Sequence, residues 1–184
     1  MKSVILSSVL PLTVAIAAPL GLAGKASGAE PDKQFFRTVE GQWVGPGEII
    51  AGKYKGTKFT CNFNGTTPGG KLGMMLDGDC RVGVFTQKMS ATIEYKGRGG
   101  YKGSFMGGAA GSGLDIIGGN VVDARKVVFT INRNQLRGVM QARIPDDNSM
   151  TVTIAVRVEQ QLVPVIGMSL KRIDAVEVGS IAPN

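Results

Sequence analysis

The chain has 184 residues, of which 21 are basic, 14 are acidic and 27 are glycine, and it contains no histidine. The lack of histidine excludes Ser-His-Asp and Cys-His catalysis and any histidine-ligated zinc or haem. The basic residues are not interleaved with aromatic side chains that could stack on bases, so we expect no nucleic-acid partner, and the sequence indicates neither a cofactor nor a metal.

Residues 1–29 have the pattern of a secretory signal peptide. Lys2 supplies a positive charge, the next stretch is uncharged and aliphatic, and Ser27-Gly28-Ala29 offers the small side chains that a signal peptidase requires; a cut after Ala17 is the alternative. We therefore predict an exported protein, periplasmic or secreted from a bacterium, with one domain over residues 30–184. No second apolar run approaches the roughly 18 residues of a membrane span, so we expect no transmembrane segment in the mature chain.

After the leader, only residues 31–40 have a helical pattern, with Phe35, Phe36 and Val39 on one side. The rest of the chain alternates apolar and polar residues between turn sequences rich in glycine, proline, asparagine and aspartate, which is typical of antiparallel strands. This alternation predicts ten strands, at residues 42–51, 54–64, 72–82, 84–96, 100–106, 114–122, 126–133, 136–144, 149–159 and 162–173.

Consecutive hairpins with one apolar face predict an all-β fold, an antiparallel up-and-down β-barrel of about eight to ten strands with a short N-terminal helix. In the fourth strand, for example, Phe85, Met89 and Ile93 share the apolar face. A β-sandwich is the alternative. Pro164 interrupts the last strand and indicates a bulge or an edge there. Residues 97–119 hold ten glycines, match no phosphate-binding pattern, and predict a long hairpin, a barrel corner or a flexible lid.

The two cysteines fall on neighbouring predicted strands. Cys61 alternates with Phe59 and Phe63, and Cys80 alternates with Leu76, so both belong to apolar faces. An even cysteine count in an oxidising compartment favours a disulfide between them. Free buried thiols and a redox site are the alternatives.

The short helix followed by Gly41-Gln42-Trp43 resembles the opening of calycin-type barrels, which include lipocalins, fatty-acid-binding proteins and similar small exported bacterial proteins. In those families this tryptophan lies at the closed end of the barrel, beneath a basic side chain of the last strand. The resemblance therefore implies that Lys171 or Arg172 covers Trp43, with a Trp43–Arg172 cation–π contact that is structural rather than part of a ligand site.

The inward positions would line a cavity if the barrel is hollow. A barrel of about eight strands is just filled by its side chains, whereas ten strands more easily leave a hollow, and methionine adapts to irregular apolar ligands. The candidate ligand-binding residues are Phe59, Phe63, Met74, Met89, Ile93, Phe105, Met140, Val152, Ile154 and Met168.

The outer face of the predicted sheet is basic towards the C-terminus, where residues 125–172 have a net charge of +5. Arg137, Arg143 and Arg157 alternate with apolar residues and are candidates for binding an anionic envelope or host surface. The alternative is an ordinary solvated sheet face.

Two further patterns have a functional and a structural interpretation. All three tyrosines, Tyr54, Tyr95 and Tyr101, precede Lys-Gly, which could contact sugars at a rim or could simply end strands. Asp77 and Asp79 share one strand face and could act as an acid–base pair or bind a cation, although no third ligand lies near them in the sequence.

These patterns together predict an exported, non-enzymatic β-barrel that binds an apolar or amphipathic small molecule. The first alternative is a protein-interaction module, directed to the envelope or a host, that uses the basic outer face. The second is an enzyme that relies on carboxylates alone.

Overall fold

The computed structural model describes residues 29–107 and 113–173. It begins with the helix α1 (Ala29–Val39), whose first turn carries Glu30 and Asp32 and whose last turn carries Arg37. Charges in these positions complement the helix dipole. Among the described residues, no helix is both long and apolar enough to span a membrane.

Ten strands follow the helix, and each pairs with the next in antiparallel fashion. A short 3₁₀ turn at Gly97–Gly99 precedes the fifth strand. The strands are β1 (Gly41–Ile49), β2 (Lys58–Thr66), β3 (Gly73–Val82), β4 (Phe85–Tyr95), β5 (Tyr101–Gly107), β6 (Leu114–Asp123), β7 (Lys126–Arg133), β8 (Leu136–Asp146), β9 (Ser149–Val158) and β10 (Gln161–Ile173).

The sheet closes on itself because β1 pairs with β10 as well as with β2. Trp43 lies opposite Arg172 in this closing pair, and Gly47 lies opposite Met168. The molecule is thus an all-β, ten-stranded closed antiparallel barrel with one short N-terminal helix, which confirms the predicted fold class and excludes the sandwich.

Strands that alternate in direction place successive connections at alternate ends of the barrel. We call the end that carries α1, together with the β2–β3, β4–β5, β6–β7 and β8–β9 connections, the helix end. The opposite end, which carries the β1–β2, β3–β4, β7–β8 and β9–β10 connections, is the far end.

The strand boundaries differ from the sequence prediction chiefly around residues 50–57. Gly52 and Gly56 adopt positive φ angles of 94° and 88°, and the Gly56 amide donates to the Ile49 carbonyl. This turn ends β1 at Ile49 and delays β2 to Lys58, because positive φ suits glycine and breaks the extended backbone.

The interruption at Pro164 is a bulge and not an edge. The β10–β9 register shifts between Pro164 and Ile166, where one residue is extra, while both strands remain paired within the closed barrel. The glycine-rich segment 97–119 includes the 3₁₀ turn, β5 and the start of β6. Its residues 108–112 lie outside the described ones, as do residues 1–28 of the predicted signal peptide.

The predicted disulfide is present. Cys61 and Cys80 are directly opposite each other on β2 and β3, with their Cα atoms 4.0 Å apart, and they form a disulfide bond. Cys61 is buried in the barrel core beside Phe63. The bond therefore joins two adjacent strands from inside the barrel.

Replacing both cysteines, Cys61→Ala with Cys80→Ala, is expected to lower the free energy of unfolding by about 3 kcal/mol. The bond closes a loop with a sequence separation of 19, and the loss is mainly the conformational entropy that the unfolded chain regains. Urea denaturation followed by circular dichroism measures it. Reduction should destabilise the wild-type protein by a similar amount and leave the double variant unchanged; equal sensitivity of the two proteins to reductant would contradict the prediction.

Candidate functional site: the barrel interior and its two ends

The helix end of the barrel is closed by α1. Phe35, Phe36 and Val39 all lie on one side of the helix and are fully buried, as the helical pattern in the sequence predicts. Gly65 on β2 lets the helix approach, since a Cβ there would overlap the Val39 carbonyl. The apolar face of α1 thus forms the floor of the barrel interior.

Trp43 and Arg172 hold the helix in place. The Trp43 side chain is 0% exposed, and its Nε1 donates to the Val39 carbonyl at 2.8 Å. The Arg172 guanidinium carbon lies 4.3 Å from the centre of the Trp43 ring system. This is the placement that the resemblance to calycin-type barrels implies for these two residues.

Arg172 also binds backbone carbonyls at the C-terminal end of α1. Its guanidinium donates to the carbonyl of Glu40, to that of Thr38 at 2.7 Å and to that of Asp147 at 2.9 Å. Because the last carbonyls of a helix have no partner within it, a cation that binds them also complements the dipole. One side chain therefore joins α1, the β8–β9 turn and β10.

Gly41 connects α1 to β1 at the point where Arg172 passes. Its φ is 105°, and a Cβ at this position would lie 2.7 Å from Arg172 Nη1. Any other residue would strain the backbone and displace the guanidinium. The glycine of the Gly41-Gln42-Trp43 motif is thus required by the geometry of the helix end.

Tyr101 completes this end at the start of β5. It is 1% exposed, packs edge-on against Phe129 and close to Phe36, and donates a hydrogen bond to Asp32 on α1. Burial, and then the hydrogen bond to Asp32, raises the pKa of the Tyr101 hydroxyl far above its ordinary value of 10.0. Tyr101 therefore stays neutral and holds the helix by its hydroxyl.

Above this floor the barrel encloses an apolar cavity of about 60 Å³. Every lining side chain is aliphatic, aromatic or a thioether, and four of them are methionines: Met74, Met140, Met150 and Met168. Ligand sites of drug size occupy about 300–1,000 Å³, so in this conformation the side chains fill most of the interior.

Eight of the ten predicted ligand-binding residues line this cavity, and Phe59 and Met89 do not; these two pack against the core as partly buried side chains. The eight are Phe63, Met74, Ile93, Phe105, Met140, Val152, Ile154 and Met168. The prediction omitted the other lining residues, which are Phe35, Val39, Leu76, Ala91, Val127, Phe129, Ala142, Met150 and Leu170.

The sequence does contain a signal that could have identified the omitted strand residues. Met150 alternates with Val152 and Ile154, and Leu170 alternates with Met168, so the same period of two selects them. Phe35 and Val39 are different, because only the docking of α1 across the barrel end turns its apolar face into part of the lining.

The predicted basic face does not form a single patch. Arg137 and Arg157 are neighbours at the far ends of β8 and β9, because the adjacent residues Gly138 and Val156 are paired with each other. Arg143 lies six residues further along β8, which is roughly 20 Å at the rise of a strand. It is paired there with Lys126 near the helix end.

The structure also places the tyrosines and the two aspartates. Tyr95 and Tyr101 lie opposite each other on β4 and β5 at the helix end, with their ring centres 5.3 Å apart, whereas Tyr54 is 62% exposed at the far end, so only two of the three Tyr-Lys-Gly sequences come together. Asp77 and Asp79 lie on the outer wall of β3, where Asp79 forms an ion pair with Lys88 at 3.8 Å.

Substitution Arg172→Lys is expected to lower the free energy of unfolding by about 2 kcal/mol. Lysine keeps the charge but cannot bind three carbonyls with a planar fork, so the carbonyls of Thr38, Glu40 and Asp147 lose charged donors. Thermal and urea denaturation measure the change. Arg157→Lys, at an exposed position, should stay within about 0.5 kcal/mol of wild type; equal effects at the two positions would refute the role given to Arg172.

Substitution Tyr101→Phe tests the hydrogen bond to Asp32 through its pH dependence. The pKa of Tyr101 is raised on folding, so its contribution to stability is fully present below pH 10.0 and declines as the pH rises above that value. The stability advantage of wild type over Tyr101→Phe should therefore shrink above pH 10.0, by at most about 1.4 kcal/mol per pH unit.

Urea unfolding between about pH 8 and pH 11 measures this difference, and the interval spans the ordinary tyrosine pKa. Tyr54→Phe is the matched control, because Tyr54 is 62% exposed. Its stability difference from wild type should stay flat over the same interval. A flat difference for Tyr101→Phe would show that Tyr101 ionises normally in the folded protein.

No protein-family model matches the chain, and no curated protein matches it. The closed ten-stranded barrel with its short helix is compatible with a calycin-like fold.

Proposed function

We propose that this protein is an exported, non-enzymatic carrier that binds an apolar or amphipathic small molecule inside its barrel. The observation that carries the proposal is the cavity of about 60 Å³ at the centre of a closed barrel, lined by apolar side chains alone. Burial of apolar ligand surface against such a lining would provide the binding free energy.

The size of the cavity defines what binding requires. At about 60 Å³ it is smaller than the ligand, so side chains must move when the ligand enters. The four lining methionines suit this role, because each has three rotatable side-chain bonds and a polarizable sulfur that packs well in several rotamers. The walls themselves are held by the closed hydrogen-bonded sheet, so expansion is confined to the interior.

The lining also supports the proposal that the protein is a carrier and not an enzyme. Among the residues that the structure describes, the lining offers only C–H and thioether surface, with no acid, base or nucleophile beside the space in which a ligand would lie. The two carboxylates weighed for an acid–base role, Asp77 and Asp79, are on the outer wall, where Asp79 is bound to Lys88.

Two further observations support the compartment and the class of ligand. The Cys61–Cys80 disulfide suits an oxidising compartment outside the cytoplasm, in agreement with the leader sequence. The Trp43–Arg172 pair at the helix end matches the resemblance to calycin-type barrels, among which the fatty-acid-binding proteins hold a ligand of the proposed class.

The proposal predicts that protein purified without denaturant from its native compartment carries a bound apolar molecule. Native mass spectrometry should show a discrete mass above that of the chain, and denaturation should remove it. The ligand-free protein should then bind a fluorescent fatty acid with saturation at one molecule per chain. A bare native mass together with no saturable binding would contradict the proposal.

Substitution Ala142→Val tests whether the ligand binds inside the barrel. Ala142 lines the cavity, so two added carbon atoms take up space that the ligand needs, and binding should weaken by about tenfold. Gln141→Val adds a β-branched side chain at the next residue of β8, which faces the outer wall, and should leave binding unchanged. Equal binding by both variants would place the ligand outside the interior.

A further inference from the structure

Large apolar side chains are exposed at one end of the barrel. Val84 is 89% exposed and Phe85 is 78% exposed, both in the β3–β4 hairpin. Among the described residues, eight of the thirteen exposed large apolar side chains lie on far-end hairpins, where they form a group of the kind that marks an interaction surface. These eight are Ile50, Tyr54, Val82, Val84, Phe85, Leu136, Val158 and Leu162.

The far-end hairpins extend beyond the packed part of the barrel. Every residue is exposed in 81–86, in 133–137 and in 157–162, so both faces of these strand ends are in solvent. With residues 48–58 of the β1–β2 connection, we call these four segments the far-end rim. They belong to the β1–β2, β3–β4, β7–β8 and β9–β10 hairpins and lie around the far end of the barrel.

The far-end rim is also basic. It carries seven basic residues against two acidic ones, Glu48 and Glu159, and all seven are exposed. None of the seven forms an ion pair with any residue in 29–107 or 113–173. The seven are Lys53, Lys55, Lys58, Arg81, Arg133, Arg137 and Arg157.

The helix end has fewer exposed large apolar residues, which are Met75, Tyr95, Val122 and Ile173, and most of the ion pairs. Of the five ion pairs among the described residues, four lie at the helix end, including Lys96 with Glu94 at 2.7 Å and Arg125 with Asp147 at 3.3 Å. Its turns consist mainly of glycine and charged residues, such as 96–100. Unpaired cations and exposed apolar side chains therefore occur together at the far end.

We propose that the far-end rim docks on a lipid bilayer that contains anionic phospholipids. Apolar tips that enter the interface between headgroups and acyl chains, flanked by Lys and Arg that face the headgroups, are the two elements of interfacial membrane binding. The tips lie on separate hairpins around a ring, which suits a laterally fluid surface because lipids can fill the spaces between them.

The charge of the far-end rim decides against a second copy of the chain as its occupant. Two rims that met face to face would bring fourteen basic side chains together with four acidic ones, and like charges at an interface oppose association. An anionic bilayer instead offers a surface of opposite sign. The proposal goes beyond ligand binding and does not depend on it, since the far-end rim is exposed whether or not the interior is occupied.

The test is co-sedimentation with phosphatidylcholine vesicles that contain about 30% phosphatidylglycerol. The protein used is the full chain in the form that its native host produces after any processing. The protein should partition onto these vesicles at low salt and should be released as salt screens the headgroup charge. Partitioning onto pure phosphatidylcholine should be at least tenfold weaker. No binding to the anionic vesicles would overturn the proposal.

Matched variants locate the surface. Val84→Ser with Phe85→Ser should weaken partitioning at least tenfold, because the two most exposed apolar tips are lost. Met75→Ser with Val122→Ser removes exposed apolar side chains away from the far-end rim and should have no effect. Both pairs are at exposed sites, and circular dichroism confirms folding.

A second pair of variants tests the charges. Lys53→Gln with Lys55→Gln should weaken binding to the anionic vesicles by about tenfold or more, at roughly fivefold per basic residue. Lys126→Gln with Arg143→Gln, near the helix end, should have little effect. Equal loss from both pairs would show that net charge alone drives binding and would overturn the orientation.

Sedimentation velocity without lipid tests whether the far-end rim instead binds a second copy of the chain. The wild-type protein should be monomeric at micromolar concentration. A dimer that Val84→Ser with Phe85→Ser converts to monomer would assign the far-end rim to self-association and would overturn the proposal. Loss of fatty-acid binding in Ala142→Val with unchanged vesicle binding would show that the two surfaces act separately.

Discussion

The structure depends on the pairing of β1 with β10, which turns a sheet of ten strands into a closed barrel. Without it, both strands would be edges with unpaired amides and carbonyls, and the apolar face would open to water. The residues around Arg172 strengthen the closure from outside the ladder. This side chain binds carbonyls of the helix end and covers Trp43, so the first and last strands are fixed to the same helix.

Closure gives the two ends of the barrel different properties. The helix end is occupied by a plug of buried aromatic residues, in which Tyr101 is hydrogen-bonded to Asp32 and Trp43 to Val39. The far end has no plug among the described residues, and its hairpins extend into solvent with apolar tips and unpaired cations. The interior between them is apolar and nearly full. The molecule thus has a tightly packed helix end and a solvent-exposed far end.

The alternation of residues was sufficient to predict the strands, the barrel and the disulfide, because each depends on which face a side chain occupies. Cys61 and Cys80 are opposite each other for that reason. The position of a residue along the barrel axis has no such signal in the sequence. Phe85 shares the apolar face of Met89 and Ile93, and the alternation favours a core position, but it is 78% exposed because β4 begins beyond the barrel wall. For the same reason, the sequence could not predict the size of the cavity.

The number of strands also decides where the chain enters and leaves the barrel. With ten strands, an even number, β1 begins and β10 ends at the same side, so Gln42 lies opposite Ile173 at the helix end. An odd number would have placed one of them among the far-end hairpins. The described far-end connections are therefore all hairpins between consecutive strands. A tag or a fusion partner joined after β10 would be tethered on the side opposite the far-end rim, which makes this molecule suited to immobilisation with that rim facing solution.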